Sequence, residues 1–351
     1  MSDSRQLHRK LLRWYDAEKR DLPWRASRDP YRIWLSEIML QQTRVEAVLP
    51  YFHRFTSNFP TVESLAEAEQ DSVLNLWAGL GYYSRARNLQ AAAKQVVENF
   101  SGKFPEDFDT LRTLKGVGPY TAAAIASMAF GRPHCALDGN LERVFARLLA
   151  EREDPKAKGR PAVTALGEEL VKLGRAGDVN QAVMDLASRI CVPREPRCGE
   201  CPLQDHCEAR RLGIQRELPL KKPKPEKILL KAEAWAVVSG EELLLARRPA
   251  GEWLAGMWDL PWRILDEGDV RPSAPFGEEL VTCSAPRTIT KHKIDFEVRG
   301  IRCEKRPVDG EILRLCAEAD GFRWIRLDEL HGINLPRPSE KALGKILAKL
   351  N

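Results

Sequence analysis

Apolar residues recur every three or four positions through roughly the first 210 residues of the chain. The segments DPYRIWLSEIMLQQTRVEAVLPYFHRF, ARNLQAAAKQVVENF, NLERVFARLLA and VNQAVMDLASRIC show this spacing, which is typical of amphipathic helices. Clusters of Gly, Pro and Asp lie between the segments and predict the turns that separate the helices. The pattern therefore predicts an all-α domain over residues 1–211.

The period of the apolar pattern changes after residue 230. The segment IDFEVRGI alternates apolar with charged residues, which predicts a half-buried strand whose charged side chains, Arg299 among them, face outward. AEAWAVV and EELLLARR also predict strands. We therefore expect a multidomain fold, in which the helical domain is followed by an α/β domain over residues 231–351.

The segment between the two patterns has the composition of a linker. LPLKKPKPEKILLK, residues 218–231, contains three prolines and five lysines, which disfavour a helix and favour a semi-extended chain. We predict a linker over residues 212–230. Two domains also fit the length of 351 residues, because one hydrophobic core usually stops growing near ~250–300 residues.

Charge and hydropathy change this picture only a little. The net charge of +5 is weak evidence for a polyanionic partner. The N-terminal segment MSDSRQLHRKLLRWYDAEKRDLPW has no apolar core of a signal peptide. No apolar run approaches the ~20 residues that span a bilayer. We expect a cytoplasmic protein without a membrane partner, associated with the nucleoid if the source is bacterial.

Four of the eight cysteines lie in one short segment, CVPREPRCGECPLQDHC, with the spacing C-x6-C-x2-C-x5-C. Disulfides rarely persist in the cytosol, so a metal site is favoured over a disulfide knot. The spacing alone leaves zinc and an iron–sulfur cluster open. The other cysteines, Cys135, Cys283, Cys303 and Cys316, have apolar neighbours and are interpreted as small core residues.

A glycine-rich turn occurs in LKGVGPYTAAAIA, where Gly116 and Gly118 flank Val117 and Pro119 stands at a favoured first helical position. The preceding DFDTLRTL is helical in pattern, so a helix–hairpin–helix is predicted over about residues 108–130. Such a turn can direct backbone N–H groups at a phosphate. The alternative is an ordinary helical hairpin.

Two carboxylates stand out from their surroundings. Glu37 falls on a largely apolar stripe of its predicted helix, where lost hydration raises a carboxyl pKa and suits it to donate a proton; a structural ion pair with Arg32 or Arg44 is the alternative. Asp138 precedes a predicted helix, where Asp is a common N-cap. One protonated and one ionised carboxyl are the groups needed to break a glycosidic bond.

The order of these features resembles the helix–hairpin–helix superfamily of DNA glycosylases, in its endonuclease III-like branch with a [4Fe-4S] cluster. The motifs LPWR, WLSEIMLQQTRV, WAGLGYYSRARNL, GVGPYTAAAIASMAFG, LDGN and NQAVMDL look like those of the MutY family, the adenine DNA glycosylases, almost continuously over residues 20–207. The resemblance implies a [4Fe-4S] cluster held by Cys191, Cys198, Cys201 and Cys207.

The resemblance also implies a reaction and a partner. The enzyme would be a monomer that binds duplex DNA and removes adenine mispaired with 8-oxoguanine or guanine. Glu37 would protonate adenine at N7, Asp138 would stabilise the oxocarbenium ion, and Tyr120 and Asn140 would support Asp138. Tyr120 stands where lyase-competent relatives carry a lysine, and a phenol cannot form an imine, so base excision without strand cleavage is expected.

The same resemblance assigns the contacts to DNA. A flipped base would be bound in a pocket lined by Trp24, Arg25, Leu40 and Gln181. Gln42 and Tyr82 would enter the base stack as a wedge, and Thr43 and Leu80 would lie near the lesion. The hairpin backbone at Gly116, Val117 and Gly118 and the loop residues Arg194 and Arg197 would meet phosphates.

The second domain resembles a Nudix fold in LLLARRPAGEWLAGMWDLPW, but the acidic motif that holds Mg²⁺ does not follow Trp262. The resemblance implies recognition of 8-oxoguanine instead. Within RTITKHKIDF, Thr290 and Lys291 align with the family's Ser and His. His292 is the alternative, but a one-residue shift would move it to the other face of a strand, which favours Thr290 and Lys291.

Three rival functions remain as alternatives. An endonuclease III-like lyase is disfavoured by Tyr120, and a Nudix hydrolase by the missing acidic motif. A non-catalytic DNA-binding protein with a structural metal is disfavoured by the pairing of Glu37 with Asp138.

Overall fold

The computed structural model describes residues 2–220, 226–249, 251–266, 277–313, 316, 319–333 and 335–350. The chain divides into two compact units, Met1–Pro223 and Lys224–Asn351. The predicted linker spans this boundary, and its residues 221–225 lie outside the described residues. The first strand of the second unit already begins at Ile228, so the end of the predicted linker belongs to the sheet.

The first unit is helical where it is described, as the apolar period predicted. No helix among the described residues has both the length and the apolar character needed to cross a bilayer. The helices are α1 (Ser2–Glu18), α2 (Pro30–Leu40), α3 (Val45–Asn58), α4 (Val62–Glu67), α5 (Gln70–Trp77), α6 (Ser84–Phe100), α7 (Phe108–Leu111), α8 (Pro119–Met128), α9 (Gly139–Leu149), α10 (Arg160–Lys172), α11 (Ala176–Arg189) and α12 (Glu208–Arg211).

Two hydrophobic cores hold the helical unit together. One is built by residues from α2 to α8, and the other by α1 with α9, α10 and α11. Burial of apolar area at about 25 cal/mol per Å² is the main stabilising term for such cores. Helix α2, which carries Glu37, belongs to the first core, whereas α9 and α11 belong to the second. Side chains from both groups of helices line one pocket.

Helices α7 and α8 form the predicted helix–hairpin–helix. Gly116 has a φ of +76°, a left-handed conformation that favours glycine. The extended Gly118 precedes α8, and Pro119 occupies the first turn of that helix. A Cβ on Gly118 would meet nothing within 4 Å, whereas Val117 is buried. The hairpin is thus anchored by Val117 and presents open backbone at Gly118.

The second unit is a mixed sheet with a C-terminal helix. Its described elements are β1 (Ile228–Ser239), β2 (Glu242–Arg247), β3 (Trp258–Asp259), β4 (Trp262–Leu265), β5 (Glu278–Ser284), β6 (Arg287–Ile289), β7 (His292–Cys303), α13 (Asp309–Ile312), β8 (Gly321–Arg326) and α14 (Arg337–Leu350). The central β1 pairs in parallel with β7 and antiparallel with β2 and β4, and the main strand order is β3-β2-β1-β7-β5.

Strand β7 corrects one prediction made from alternation. Arg299 was expected to face outward, but its residue is only 9% exposed. Its guanidinium donates to Glu233 on β1 at 2.7 Å and to Glu279 on β5 at 2.9 Å. The second face of β7 is also covered, because Ile301, two positions further on, is buried there in a separate apolar cluster with Trp235. Arg299 on this face is stabilised by the two carboxylates.

Candidate active site

A pocket of about 910 Å³ lies in the helical unit. It brings together eight residues predicted for catalysis or base binding and one, Thr43, predicted near the lesion. They are Trp24, Arg25, Glu37, Leu40, Thr43, Tyr120, Asp138, Asn140 and Gln181. These residues are spread over more than 150 positions of sequence, so their convergence is a property of the fold.

Glu37 is the buried carboxyl of this pocket, with 5% of the residue exposed. The Tyr120 hydroxyl donates to Glu37 Oε2 at 2.6 Å. Burial raises the pKa of Glu37 to about 7 and Asp138 adds to the rise, while the hydrogen bond from Tyr120 and the charge of Arg25 oppose it. Arg32 is paired with Asp29 at 3.6 Å, so it leaves Glu37 free to hold a proton near neutral pH.

Asp138 is both a helix N-cap and a pocket residue, the two roles considered from the sequence. It is the N-cap of α9, where Oδ1 accepts the backbone N–H groups of Asn140 and Leu141 at 2.9 and 2.8 Å. It also lines the pocket, and its Oδ2 accepts a hydrogen bond from Asn140 Nδ2 at 2.9 Å. Asn140 therefore contacts Asp138 as predicted, whereas Tyr120, predicted on the Asp138 side, is hydrogen-bonded to Glu37.

A chain of hydrogen bonds runs from Asp138 to the four-cysteine loop. Arg143 Nη1 donates to Asn140 Oδ1 at 3.1 Å, and Arg143 Nε donates to the Cys191 carbonyl at 2.9 Å. Arg143 is 8% exposed. Sequence reasoning missed this residue, because the apolar stripe of α9, formed by Leu141, Val144 and Leu148, leaves Arg143 on the opposite face of the helix, which the pattern marks as polar.

A buried guanidinium supports the wedge positions, and this residue was also missed. Arg85 links the end of α2 to the loop that precedes α6, and Gln42 and Tyr82 adjoin these segments with φ of +57° and +49°. The Arg85 guanidinium donates, at 2.8 to 3.2 Å, to the carbonyls of Ile38, Met39, Gln41, Leu80 and Gly81. An arginine in the apolar stripe of α6 was the signal that could have identified it.

The two predicted wedge residues differ from their neighbours in exposure. The Tyr82 residue is 56% exposed, and Gln42 is exposed as well. Tyr83 packs against the first core. Leu80, predicted near the lesion, is 8% exposed and belongs to that core, and its carbonyl accepts a hydrogen bond from Arg85 at 3.1 Å.

The four-cysteine loop is held against α9 and α11. All four thiols are free of disulfides and partly buried, and burial raises the pKa of Cys201 to about 12. Arg147, 1% exposed, donates to Cys191 Sγ at 3.3 Å and to the carbonyl oxygens of Val192 and Pro193, both at 2.8 Å. Buried thiols need a cationic group to become thiolates, which an iron cluster supplies, so this donor set fits a cluster.

The two loop arginines have different surroundings. Arg194 is exposed. Arg197 donates through Nε to the Arg189 carbonyl at 3.1 Å and pairs with Glu200 at 3.1 Å. A phosphate must compete with Glu200 for Arg197, which makes Arg194 the better-placed of the two.

The predicted lesion-reading residues form a turn rather than a strand. Ile289 pairs with His292 across the β6–β7 hairpin, so Thr290 and Lys291 are its two connecting residues. Thr290 has a φ of +52°. The argument from alternating strand faces therefore does not apply to them. The His292 ring lies 4.8 Å from that of Trp253, which gives it a packing role in this unit.

Comparisons with known proteins agree with the geometry. Residues 35–169 match the HhH-GPD superfamily of base excision DNA repair proteins, and residues 233–345 match the NUDIX domain. The adenine DNA glycosylase of Homo sapiens is 33% identical over 92% of this chain and 70% of its own length. That of Rattus norvegicus is 35% identical over 94% of this chain and 75% of its own.

The chain belongs to the adenine DNA glycosylase family. As a member of this family it is a base excision repair glycosylase, and the fold class expected from the sequence is confirmed. A thermostable thymine-DNA glycosylase of known structure is 28% identical to it, with a TM-score of 0.55 over 60% of this chain and 98% of that one.

The cofactor prediction is also confirmed at the level of the loop. Residues 191–207 match the iron–sulfur binding domain of endonuclease III, which implies a [4Fe-4S] cluster in this glycosylase. Zinc, left open by the spacing, is thereby set aside. The match begins and ends on cysteines of the four-cysteine loop, Cys191 and Cys207.

Proposed function

We propose that this glycosylase hydrolyses the N-glycosidic bond of adenine mispaired with 8-oxoguanine or guanine in duplex DNA, and that it acts as a monomer. That the base is adenine is proposed from the similarity to adenine DNA glycosylases. The observation that carries the chemistry is the buried Glu37, whose pKa of about 7 lets it hold a proton at neutral pH. A general acid works best when its pKa is near the working pH.

The proposed reaction divides the work between two carboxyls. Glu37 gives its proton to adenine N7 as the bond between N9 and C1′ breaks and its electron pair leaves with the base. The sugar becomes an oxocarbenium ion, and the Asp138 carboxylate stabilises its charge. Water then adds to C1′ and releases a proton, so that the products are adenine and an abasic site.

Tyr120 gives this reaction its expected end point. The residue is hydrogen-bonded to Glu37 and stands where lyase-competent relatives carry a lysine. Because a phenol forms no imine with the sugar, we propose that the reaction stops at the abasic site. Asn140 would hold the Asp138 carboxylate in place through its side-chain amide.

A flipped adenine would be bound by the pocket residues Trp24, Arg25, Leu40 and Gln181. Base flipping leaves a gap in the stack, and the exposed Tyr82 and Gln42 are the groups proposed to fill it. Thr43 and Leu80 would lie near the lesion. In the second unit, Thr290 and Lys291 supply a hydroxyl and an ammonium for the proposed contact with 8-oxoguanine.

Backbone contacts are proposed at two places in the helical unit. The hairpin at Gly116, Val117 and Gly118 would bind a phosphate chiefly at Gly118, which borders open space, since the Val117 N–H already donates to the Leu114 carbonyl at 3.1 Å. Arg194 and Arg197 would add charge from the four-cysteine loop. Cys191, Cys198, Cys201 and Cys207 would hold the [4Fe-4S] cluster, whose contribution when bound is to keep this loop in shape.

Duplexes that carry adenine opposite 8-oxoguanine, guanine or thymine test the proposed function. Alkali cleaves at abasic sites, so base release appears as strand scission after treatment. We expect scission with the first two duplexes and none with the third. An untreated sample should remain intact, and a borohydride-trapped adduct through lysine would contradict the proposed end point.

The hydrogen bond from Tyr120 predicts a pH effect. It lowers the pKa of Glu37, so Tyr120→Phe should raise that pKa further and keep the carboxyl protonated to higher pH. Activity depends on the protonated form, so the rate falls as the pH rises through the Glu37 pKa. In single-turnover assays, the ratio of variant to wild-type rate should be larger at pH 8 than at pH 6. A ratio independent of pH would contradict the assignment.

A further inference from the structure

Tyr15 is a pocket residue that the proposed reaction leaves without a role. It lies on α1, 3% exposed, within the second core. Its hydroxyl donates to Oε1 of Gln181 on α11 at 2.9 Å, across 166 positions of sequence. Both residues line the pocket that holds Glu37 and Asp138. A buried phenol therefore sits behind the amide that is proposed to meet the base.

The surroundings of Tyr15 keep its hydroxyl a donor. Burial raises its pKa to about 12, so the phenol stays protonated through the working range of pH. The Arg25 guanidinium lies 5.7 Å from the centre of its ring and binds Asp185 Oδ2 and Oδ1 at 2.8 and 3.1 Å. Asp185 also accepts Arg20 Nε at 2.7 Å. These contacts fix the position of the Arg25 charge beside the phenol ring.

The orientation of the Gln181 amide decides what it recognises. Tyr15 occupies one lone pair of Oε1, which leaves the second lone pair and the two N–H donors of Nε2 for a ligand. The amino group of adenine at C6 is a donor and N1 beside it is an acceptor, and this edge leaves N7 to Glu37. A glutamine side chain can pair with N6 and N1 through both of its polar atoms at once.

A 6-oxopurine offers the opposite pattern. Hypoxanthine has an acceptor at C6 and an N–H at N1, so it requires the amide to turn over. That rotation would bring Nε2 to the Tyr15 oxygen, and the phenol proton would lose its acceptor. The hydrogen bond from Tyr15 thus opposes the amide orientation that hypoxanthine needs, whereas adenine uses the orientation already present.

We propose that Tyr15 is a positioning residue that fixes the amide of Gln181 and so makes the pocket select 6-aminopurines over 6-oxopurines. This inference rests on the proposed function, because it takes Gln181 to face the flipped base. It assigns Tyr15 no contact with the reacting atoms.

The test compares adenine with hypoxanthine, each opposite 8-oxoguanine, in single-turnover assays of the full chain. In Tyr15→Phe, the adenine-to-hypoxanthine rate ratio should fall by about tenfold, the size of one lost hydrogen bond, while the adenine rate changes less than about threefold. Tyr31→Phe is the matched control, since Tyr31 is also buried and donates to the Phe59 carbonyl at 2.7 Å outside this pocket. Its rate ratio should match that of wild type.

A double-mutant cycle separates positioning from a general loss of structure. In a Gln181→Leu background there is no amide to orient, so Tyr15→Phe should leave the rate ratio unchanged. If wild type is active and Tyr15→Phe alone leaves the adenine-to-hypoxanthine rate ratio unchanged, the inference is wrong but the proposed function stands. A wild-type enzyme that releases no adenine from any duplex overturns the proposed function itself. If Tyr15→Phe shifts the ratio equally with and without Gln181, the effect is not positioning and the inference is wrong.

Discussion

Glu37→Gln should lower the rate of adenine release by about 10²- to 10⁴-fold, the usual contribution of a general acid. The amide has nearly the shape of the carboxyl and still accepts the hydrogen bond from Tyr120, but it has no proton to transfer. Single-turnover assays on adenine opposite 8-oxoguanine measure the loss. The affinity for the same duplex, measured by gel shift, should remain close to that of wild type.

The same substitution should stabilise the fold at alkaline pH. The pKa of Glu37 is raised from 4.5 to about 7 in the folded protein, so the folded state binds a proton that the unfolded state has released. Stability is therefore lost as the pH rises from 4.5 to 7, by about 3 kcal/mol in all, and Glu37→Gln removes this penalty. Its melting temperature should exceed that of wild type at pH 8 and approach it at pH 4.5.

Glu142→Gln is the control for burial without chemistry. Glu142 is also a buried glutamate whose pKa is raised by burial, but it lies outside the pocket and pairs with Arg160 at 3.1 Å. Its adenine release should stay near wild type. Near-wild-type activity in Glu37→Gln itself would mean that another group protonates the base.

Asp138→Asn should separate catalysis from helix capping. Asn and Asp are about equally good N-caps, so the start of α9 and the overall stability should be preserved. The neutral amide cannot stabilise a cation as the carboxylate does, and we expect base release to slow by about 10²- to 10³-fold. Asp138→Ala should show the same loss of rate and an additional loss of stability of about 1 kcal/mol.

The control for this pair is Asp29→Asn. Asp29 caps α2 by accepting the Tyr31 N–H at 2.9 Å, and it does not line the catalytic pocket. Its variant should have both the stability and the rate of wild type. If Asp138→Asn were as active as Asp29→Asn, capping would be the whole role of Asp138.

Sequence patterns predicted the secondary-structure elements better than they predicted which side chains are in contact. Glu37 was found because a charge in an apolar stripe is visible in one dimension. Its contact with Tyr120 joins residues 83 positions apart, and periodicity carries no information about such pairs. Arg85 is likewise a charged residue within the apolar stripe of its helix, and it was overlooked. The carbonyls that it binds come from the end of α2 and from the loop before α6, so its role could be recognised only from the structure.

The errors in the second unit have a similar origin. Arg299 was expected to be exposed because alternation assumes one solvated face, and here Glu233 and Glu279, from the strands on either side, pair with it on that face. The turn at Thr290 and Lys291 has none of the Gly, Asn or Asp residues that usually mark a two-residue hairpin. The segment RTITKHKIDF therefore looked like one continuous strand.

That hairpin has a consequence for how this enzyme can change over evolutionary time. Lys291 contributes its backbone carbonyl to the sheet, accepting the Ile228 N–H at 3.0 Å, and any residue type supplies the same carbonyl. The side chain at this position therefore drifts without disturbing the sheet. If Lys291 makes the proposed contact with 8-oxoguanine, substitutions at this tip can alter that contact without any cost to the stability of the sheet.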